Sequence, residues 1–119
     1  ESIKYLGQVP TEDLITLYSI SGVLVHLSLY EGFGLTILEA MKWGCPVVTT
    51  AVSSLPEVAG QAAFYVSPME IGQIADTVYN VLANEAFRRE MSNAGIERSR
   101  VFSWERAARE TLEIYKKVK

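Results

Sequence analysis

Val23-Leu24-Val25-His26-Leu27-Ser28-Leu29-Tyr30-Glu31-Gly32-Phe33-Gly34-Leu35-Thr36-Ile37-Leu38-Glu39-Ala40-Met41 decides the fold. Its first five residues form an apolar run of strand length. Two glycines flank Phe33, which permits a tight turn and a close backbone approach. From Leu35 to Trp43 the spacing is helical, and Gly44 is placed to end the helix at the C′ position. Strand, glycine turn and helix in that order are one half of a parallel βαβ unit.

Outward from this unit the alternation continues. Upstream, Ile3-Lys4-Tyr5-Leu6 reads as a short strand ended by Gly7. Pro10-Thr11-Glu12-Asp13 reads as a helix start, with Thr11 as cap and two acids in the first turn. Leu14, Leu17 and Tyr18 recur behind it at helical spacing. Downstream, Pro46 to Thr50 is β-branched and predicts a strand. Leu55 to Ala59 predicts a short helix, and Ala63 to Val66 a further strand. The remainder is helical. Ser67-Pro68 is the expected start of a helix whose apolar stripe is Ile71, Ile74, Ala75, Val78 and Leu82. A second helix runs from about Glu85 to Arg98. A third follows a Ser103 cap, with Trp104, Ala108, Leu112 and Tyr115 expected inside. Near-continuous apolar strands between helices predict an α/β fold, a Rossmann-like parallel sheet covered by helices on both faces. Such sheets bind ligands beyond the carboxyl ends of their strands. That rule selects the loops Ser28–Gly34, Ala51–Pro56 and Ser67–Glu70.

Composition narrows the function classes. The chain has 119 residues, 49% of them hydrophobic and 21% charged, as in a soluble globular domain or a piece of one. A net charge of −3 gives no electrostatic case for nucleic acid or an anionic membrane. The one basic run, Lys116-Lys117-Val118-Lys119, reads as a solvated helix end. No apolar stretch has the length of a bilayer span and no secretory signal pattern opens the chain. From the cysteine usage a cytoplasmic location is expected, with peripheral membrane association of the parent protein as a further option. Cys45 is the sole cysteine and His26 the sole histidine, which excludes an internal disulfide and the usual zinc sites. Cys45 reads as a buried structural thiol. His26, inside an apolar strand, reads as a hydrogen-bonded core residue.

The candidate chemistry lies in Glu31 to Glu39. A helix N-terminus behind a glycine turn offers unpaired N–H groups and a positive dipole end, suited to a diphosphate. The same glycines also serve a plain turn. Thr36, Glu39 and Trp43 fall at i, i+3 and i+7, a narrow polar stripe on an otherwise apolar helix. A carboxylate on a largely buried helix needs partners, and two vicinal ribose hydroxyls would satisfy Glu39; a stripe facing water is the alternative. Glu31, at the mouth of the turn, is placed to accept from sugar hydroxyls or to stabilise charge on a reacting sugar ring, or simply to be solvated.

The run Glu31-Gly32-Phe33-Gly34-Leu35-Thr36-Ile37-Leu38-Glu39-Ala40-Met41 resembles the E-x7-E signature of the family-4, or group 1, glycosyltransferases of GT-B architecture. Leu6-Gly7-Gln8-Val9-Pro10, Gly44-Cys45-Pro46-Val47-Val48, Ser53-Ser54-Leu55-Pro56-Glu57-Val58 and Phe102-Ser103-Trp104 match in order and spacing. The resemblance covers nearly the whole chain. It implies that the chain is the C-terminal part of a donor-binding domain. It implies a retaining transfer from a nucleotide-diphosphate-sugar donor to an acceptor, with no cofactor and no metal. Glu31 would contact the transferred sugar. Gly32, Phe33, Gly34 and Leu35 would present backbone N–H groups to sugar and diphosphate. Glu39 would bind the ribose, and Ser53, Ser54 and Glu57 would shape the cleft.

The chain also departs from that family. Leu27 stands where proline is common. No residues match the family's Arg and Lys pair for the diphosphate, and the acceptor-binding N-terminal domain and the first strands of this domain are absent. If the family's strand order is 3-2-1-4-5-6, Ile3–Leu6 would lie apart from the other strands. A strand-exchanged homodimer or a rearranged sheet is then expected, because the fragment leaves edges and apolar surface open. A non-catalytic nucleotide-sugar-binding or regulatory module is the alternative function. The donor base, the sugar and the acceptor are left open.

Overall fold

In the computed structural model, which describes residues 2–118, the glycine turn joins β1 (Leu24–His26) to α2 (Leu35–Lys42). Ahead of β1 lies α1 (Thr11–Ile20). After α2 come β2 (Val47–Thr50), α3 (Leu55–Ala59), β3 (Phe64–Val66), α4 (Ile71–Ala83), α5 (Glu85–Ser99) and α6 (Trp104–Lys117). Lys119 of the basic run lies outside the described residues, as does Glu1.

The strands form a parallel sheet in the order β1-β2-β3, with Leu24 opposite Val47, Val48 opposite Phe64 and Thr49 opposite Tyr65. Side-chain alternation along these strands builds two cores. Leu24, Val47 and Tyr65 face one side. There they meet Tyr18 of α1, Ile37, Ala40 and Met41 of α2, Leu55, Val58 and Ala59 of α3, and Ala94 of α5. Val23, Val48, Phe64 and Val66 face the other side, against Ile74, Val78 and Val81 of α4. Helices therefore cover both faces, as expected. The central strand β2 is wholly buried, including Thr49 and Thr50. These two hydroxyls donate to the carbonyls of His26 and Ser28 at 2.8 and 2.6 Å, so no polar atom in β2 is stranded.

Four expectations need correction. Ile3–Leu6 forms no strand: residues 2–10 carry no regular element, and Ile3 and Tyr5 are exposed. A strand exists through its ladder, and no neighbouring strand lies beside this segment to complete one. The sheet is also not rearranged; it keeps consecutive order and leaves one edge of β1 open. Thr11 is the first helical residue rather than a cap, since Pro10 holds the cap position and no side chain bonds there. Finally, α4 starts at Ile71, three residues later than Pro68 suggests, and its buried stripe is Ile74, Thr77, Val78 and Val81. Ile71, Ala75 and Leu82 face solvent.

The largest departure is α6. Ser103 caps it as expected, accepting the Arg106 N–H at 3.1 Å. Yet it buries no residue, and Trp104, Leu112 and Tyr115 are exposed. Its apolar stripe is real, but nothing else in the described chain covers it. The radius of gyration, 16.0 Å, reflects this projecting helix, against about 13.5 Å expected for a compact domain of this length.

Candidate functional site

Strands β1 and β2 end side by side, and the two loops that leave them are bonded together. This is the sheet end that the ligand rule for parallel sheets selects. The Glu31 backbone N–H donates to Ser53 Oγ at 2.8 Å. Ser54 Oγ lies 2.8 Å from the carbonyl of Phe33 and 3.2 Å from that of Glu31, and donates to them. Ser53 sits at φ +44°, a left-handed backbone unusual for a residue with a side chain. Two consecutive serines thus hold Glu31–Phe33 in place. Glu57, grouped with them from sequence, is exposed on α3; its carbonyl accepts from Arg98 and its side chain makes no hydrogen bond to the turn. The Ser67–Glu70 loop, closed by the Ser67 N–H on Gln73 Oε1 at 2.7 Å, has no hydrogen bond to the other two loops among the described residues.

The Glu31 side chain is engaged as well. Its Oε1 accepts from Ser28 Oγ at 2.6 Å and lies 2.7 Å from His26 Nε2, and the Ser28 oxygen and the His26 nitrogen are 3.0 Å apart. A carboxylate only accepts, so Nε2 carries a proton in this contact. The Ser28 hydrogen bond, then that of His26, holds the Glu31 carboxyl below the usual carboxylate range. The expected core histidine is therefore half-buried beside the principal site acid. Neither His26 nor Ser28 stands among the sequence-derived site residues. The available signal was their position at the carboxyl end of a strand, two and zero residues before the selected loop.

The glycines divide their work. Gly34 is buried at φ +106°, and a Cβ there would lie 2.8 Å from Leu55 Cδ2. It is needed by the packing of α2 on α3. Gly32 has nothing within 4 Å of a notional Cβ and is exposed, so its backbone is open to approach. Gly34 caps α2 without a side-chain bond, and no acid stands in the first turn. The N-terminal N–H groups and the positive dipole end are left for an outside acceptor. Phe33 has a further role: its ring meets Phe102 edge-on at 5.9 Å, and Phe102 lies 5.3 Å under the Arg98 guanidinium. Arg98 in turn donates to the carbonyls of Glu57 and Val58 at the end of α3. The turn is thereby packed against the residues that follow α5.

Glu39, Thr36 and Trp43 share the exposed side of α2, and the Glu39 carboxylate has no hydrogen-bond partner among the described residues. The stripe faces solvent rather than a buried surface, so the cost assumed from sequence does not arise within this chain. Leu35 at the helix start is half exposed. Among the described residues no three His, Cys, Asp or Glu side chains group as metal ligands. No helix among them is long and apolar enough to cross a membrane.

Comparison with known proteins places the chain by similarity. A family model described as glycosyl transferases group 1 matches residues 1–98. The chain is 42% identical, over 96% of its length and 30% of the other protein's, to the O-antigen chain mannosyltransferase B of Escherichia coli. It is 32% identical, over 98% of its length and 26% of the relative's, to a D-inositol 3-phosphate glycosyltransferase of a Nocardioides species. Among solved structures, the sucrose-phosphate synthase of Thermosynechococcus elongatus superposes with a TM-score of 0.84 at 31% identity. That match covers 97% of this chain and 30% of that one. The chain thus spans less than a third of the length of these proteins.

Proposed function

Because the chain belongs to the group 1 glycosyltransferase family, we propose that it is the C-terminal part of the donor-binding domain of a retaining GT-B enzyme. The acceptor-binding domain and the first strands of this domain would lie in the rest of the protein. The uncovered surface supports that reading: Val25 of β1 and Leu27 just after it are exposed. The substrate is a nucleotide-diphosphate sugar. The mannosyltransferase named above, the most nearly identical of the relatives described, supports mannose as the sugar.

One observation carries the reading: Glu31 is fixed at the mouth of a glycine turn whose helix end is uncapped. In the proposed reaction the bond between the sugar C1 and the diphosphate oxygen breaks, an acceptor hydroxyl oxygen bonds C1 on the same face, and the hydroxyl proton passes to the departing diphosphate. Negative charge grows on the departing diphosphate, and the Gly32–Leu35 N–H groups at the positive end of α2 receive it. Glu31 accepts from hydroxyls of the transferred sugar, and its negative charge favours a positive ring. Glu39 accepts from the ribose hydroxyls. No metal or other cofactor enters the proposal.

Titration of the full-length protein with UDP, GDP and ADP, free and as sugar conjugates, tests it. Selective binding is expected, lost by a few kcal/mol at most in Glu39→Ala, as for removal of a charged hydrogen-bond partner. Transfer should fall sharply in Glu31→Gln. Unchanged nucleotide affinity in Glu39→Ala, or near-normal turnover in Glu31→Gln, would overturn the respective role.

A further inference from the structure

Both contacts to the Glu31 carboxylate fall on one oxygen. Ser28 Oγ donates to Oε1 at 2.6 Å, and His26 Nε2 reaches the same atom at 2.7 Å. Among the described residues nothing bonds Oε2. Each anchoring group is itself fixed from the buried central strand, since Thr49 holds the carbonyl of His26 and Thr50 that of Ser28. The backbone of Glu31 is fixed independently, by Ser53. A side chain on a loop would otherwise sample several rotamers. Here two donors at the end of β1 hold the carboxylate while Ser53 accepts the backbone N–H, which leaves the side chain a single orientation with one oxygen satisfied and the other unbonded.

From this we infer that His26 and Ser28 are positioning residues for Glu31, dividing its carboxylate into an anchored Oε1 and a substrate-facing Oε2. The inference rests on the proposed role of Glu31 at the donor sugar and assigns that role to one oxygen. The contact needs an N–H at Nε2, which the neutral Nε2–H tautomer and the imidazolium both supply. A charged histidine is therefore not required, and an amide N–H at the same reach replaces it. Glutamine carries such a group at roughly the distance of Nε2; leucine fills the space without a donor.

The test is steady-state turnover of the full-length protein with its nucleotide-sugar donor, alongside affinity for the free nucleoside diphosphate, in His26→Leu, His26→Gln, Ser28→Ala and Glu31→Ala. His26→Leu and Ser28→Ala should each lower kcat by about tenfold or more, the scale of a misplaced reacting group. Their nucleoside diphosphate affinity should stay at the wild-type value, because α2 and Glu39 are untouched. His26→Gln should recover most of the lost kcat. A purely structural role predicts the opposite order, with leucine at least as good as glutamine in this apolar strand, and that order would overturn the proposal. Parallel loss of diphosphate affinity would overturn it too, since the loop itself would then have collapsed. If His26→Leu does not fold, Ser28→Ala decides the same question. Full turnover in Glu31→Ala would bring down the donor-site reading itself. An inactive Glu31→Ala beside fully active His26→Leu and Ser28→Ala would sink only the positioning role.

Discussion

Ser53 Oγ accepts the backbone N–H of Glu31 at 2.8 Å from a left-handed backbone, φ +44°. Bond and conformation make separate contributions, and two substitutions separate them. Ser53→Gly loses the bond and relieves the backbone; Ser53→Ala loses the bond and keeps the strain. Loss of the bond should cost about 1 kcal/mol. Alanine should be the costlier replacement by roughly another 1 kcal/mol in urea unfolding. Glycine proving as costly as alanine would mean that the strain is not held there.

The two glycines of the turn should respond in opposite ways. Gly34→Ala meets Leu55 at 2.8 Å from φ +106°, so it should lose about 1–3 kcal/mol of stability. Gly32→Ala meets nothing within 4 Å, and its stability should stay within about 0.5 kcal/mol of wild type. If the Gly32 backbone approaches a donor, its nucleotide-sugar affinity should nevertheless fall. Thermal melts beside binding titrations separate the two cases. A stable Gly32→Ala protein with full affinity would remove Gly32 from the site.

Most elements were legible because each carries a local signal. The β-branched run read at Pro46–Thr50 appears as the strand Val47–Thr50, and the short helix read at Leu55–Ala59 appears with those bounds. What was not legible depends on partners distant in sequence. Ser53 meets Glu31 across 22 residues, and no local pattern marks that bond. His26 was read as core because its neighbours are apolar. The chain turns back within five residues, however, and sets Glu31 against it. Trp104, Leu112 and Tyr115 form a sound amphipathic stripe, yet periodicity says only that a face is apolar, not whether this chain covers it. Ile3–Leu6 fails for the related reason that a strand without a neighbour has no ladder.

Glu31 should titrate below an ordinary glutamate, because two hydrogen bonds favour its ionised form. A depressed folded pKa means a stabilising contribution that is complete above the unfolded carboxyl's value. It is lost as pH falls through the lower folded value. Carboxyl ¹³C NMR should place the midpoint below that of an unfolded reference. Ser28→Ala should raise it, and His26→Leu should raise it less, since the serine bond is the larger cause. A midpoint that ignores Ser28→Ala would contradict the hydrogen-bond geometry.

Cys45 is buried, and burial pushes its thiol up to about 11, with a backbone bond from Leu24 opposing weakly. The reactive thiolate is therefore scarce at pH 8. A disulfide reagent should modify the native protein slowly, at a rate that follows unfolding as urea is added. Fast labelling without denaturant would show that the core around Met41 and Val47 opens readily.

The sharpest structural prediction concerns α6. It buries no side chain, although the segment before it does contribute, through Phe102 against Phe33 and Arg98. Removing residues 104–118 from the isolated chain should therefore leave the folding free energy within about 1 kcal/mol, whereas Phe102→Ala should cost more. Hydrogen exchange should agree: α6 amides should exchange fast through local fraying, while α2 amides should be protected up to global unfolding. In the full-length protein the outcome should reverse if another segment covers Trp104, Leu112 and Tyr115. The helix should then gain protection, and Trp104→Ser should cost roughly 2–4 kcal/mol. Equal exchange of α6 in both forms would mean that the stripe stays uncovered in the whole protein.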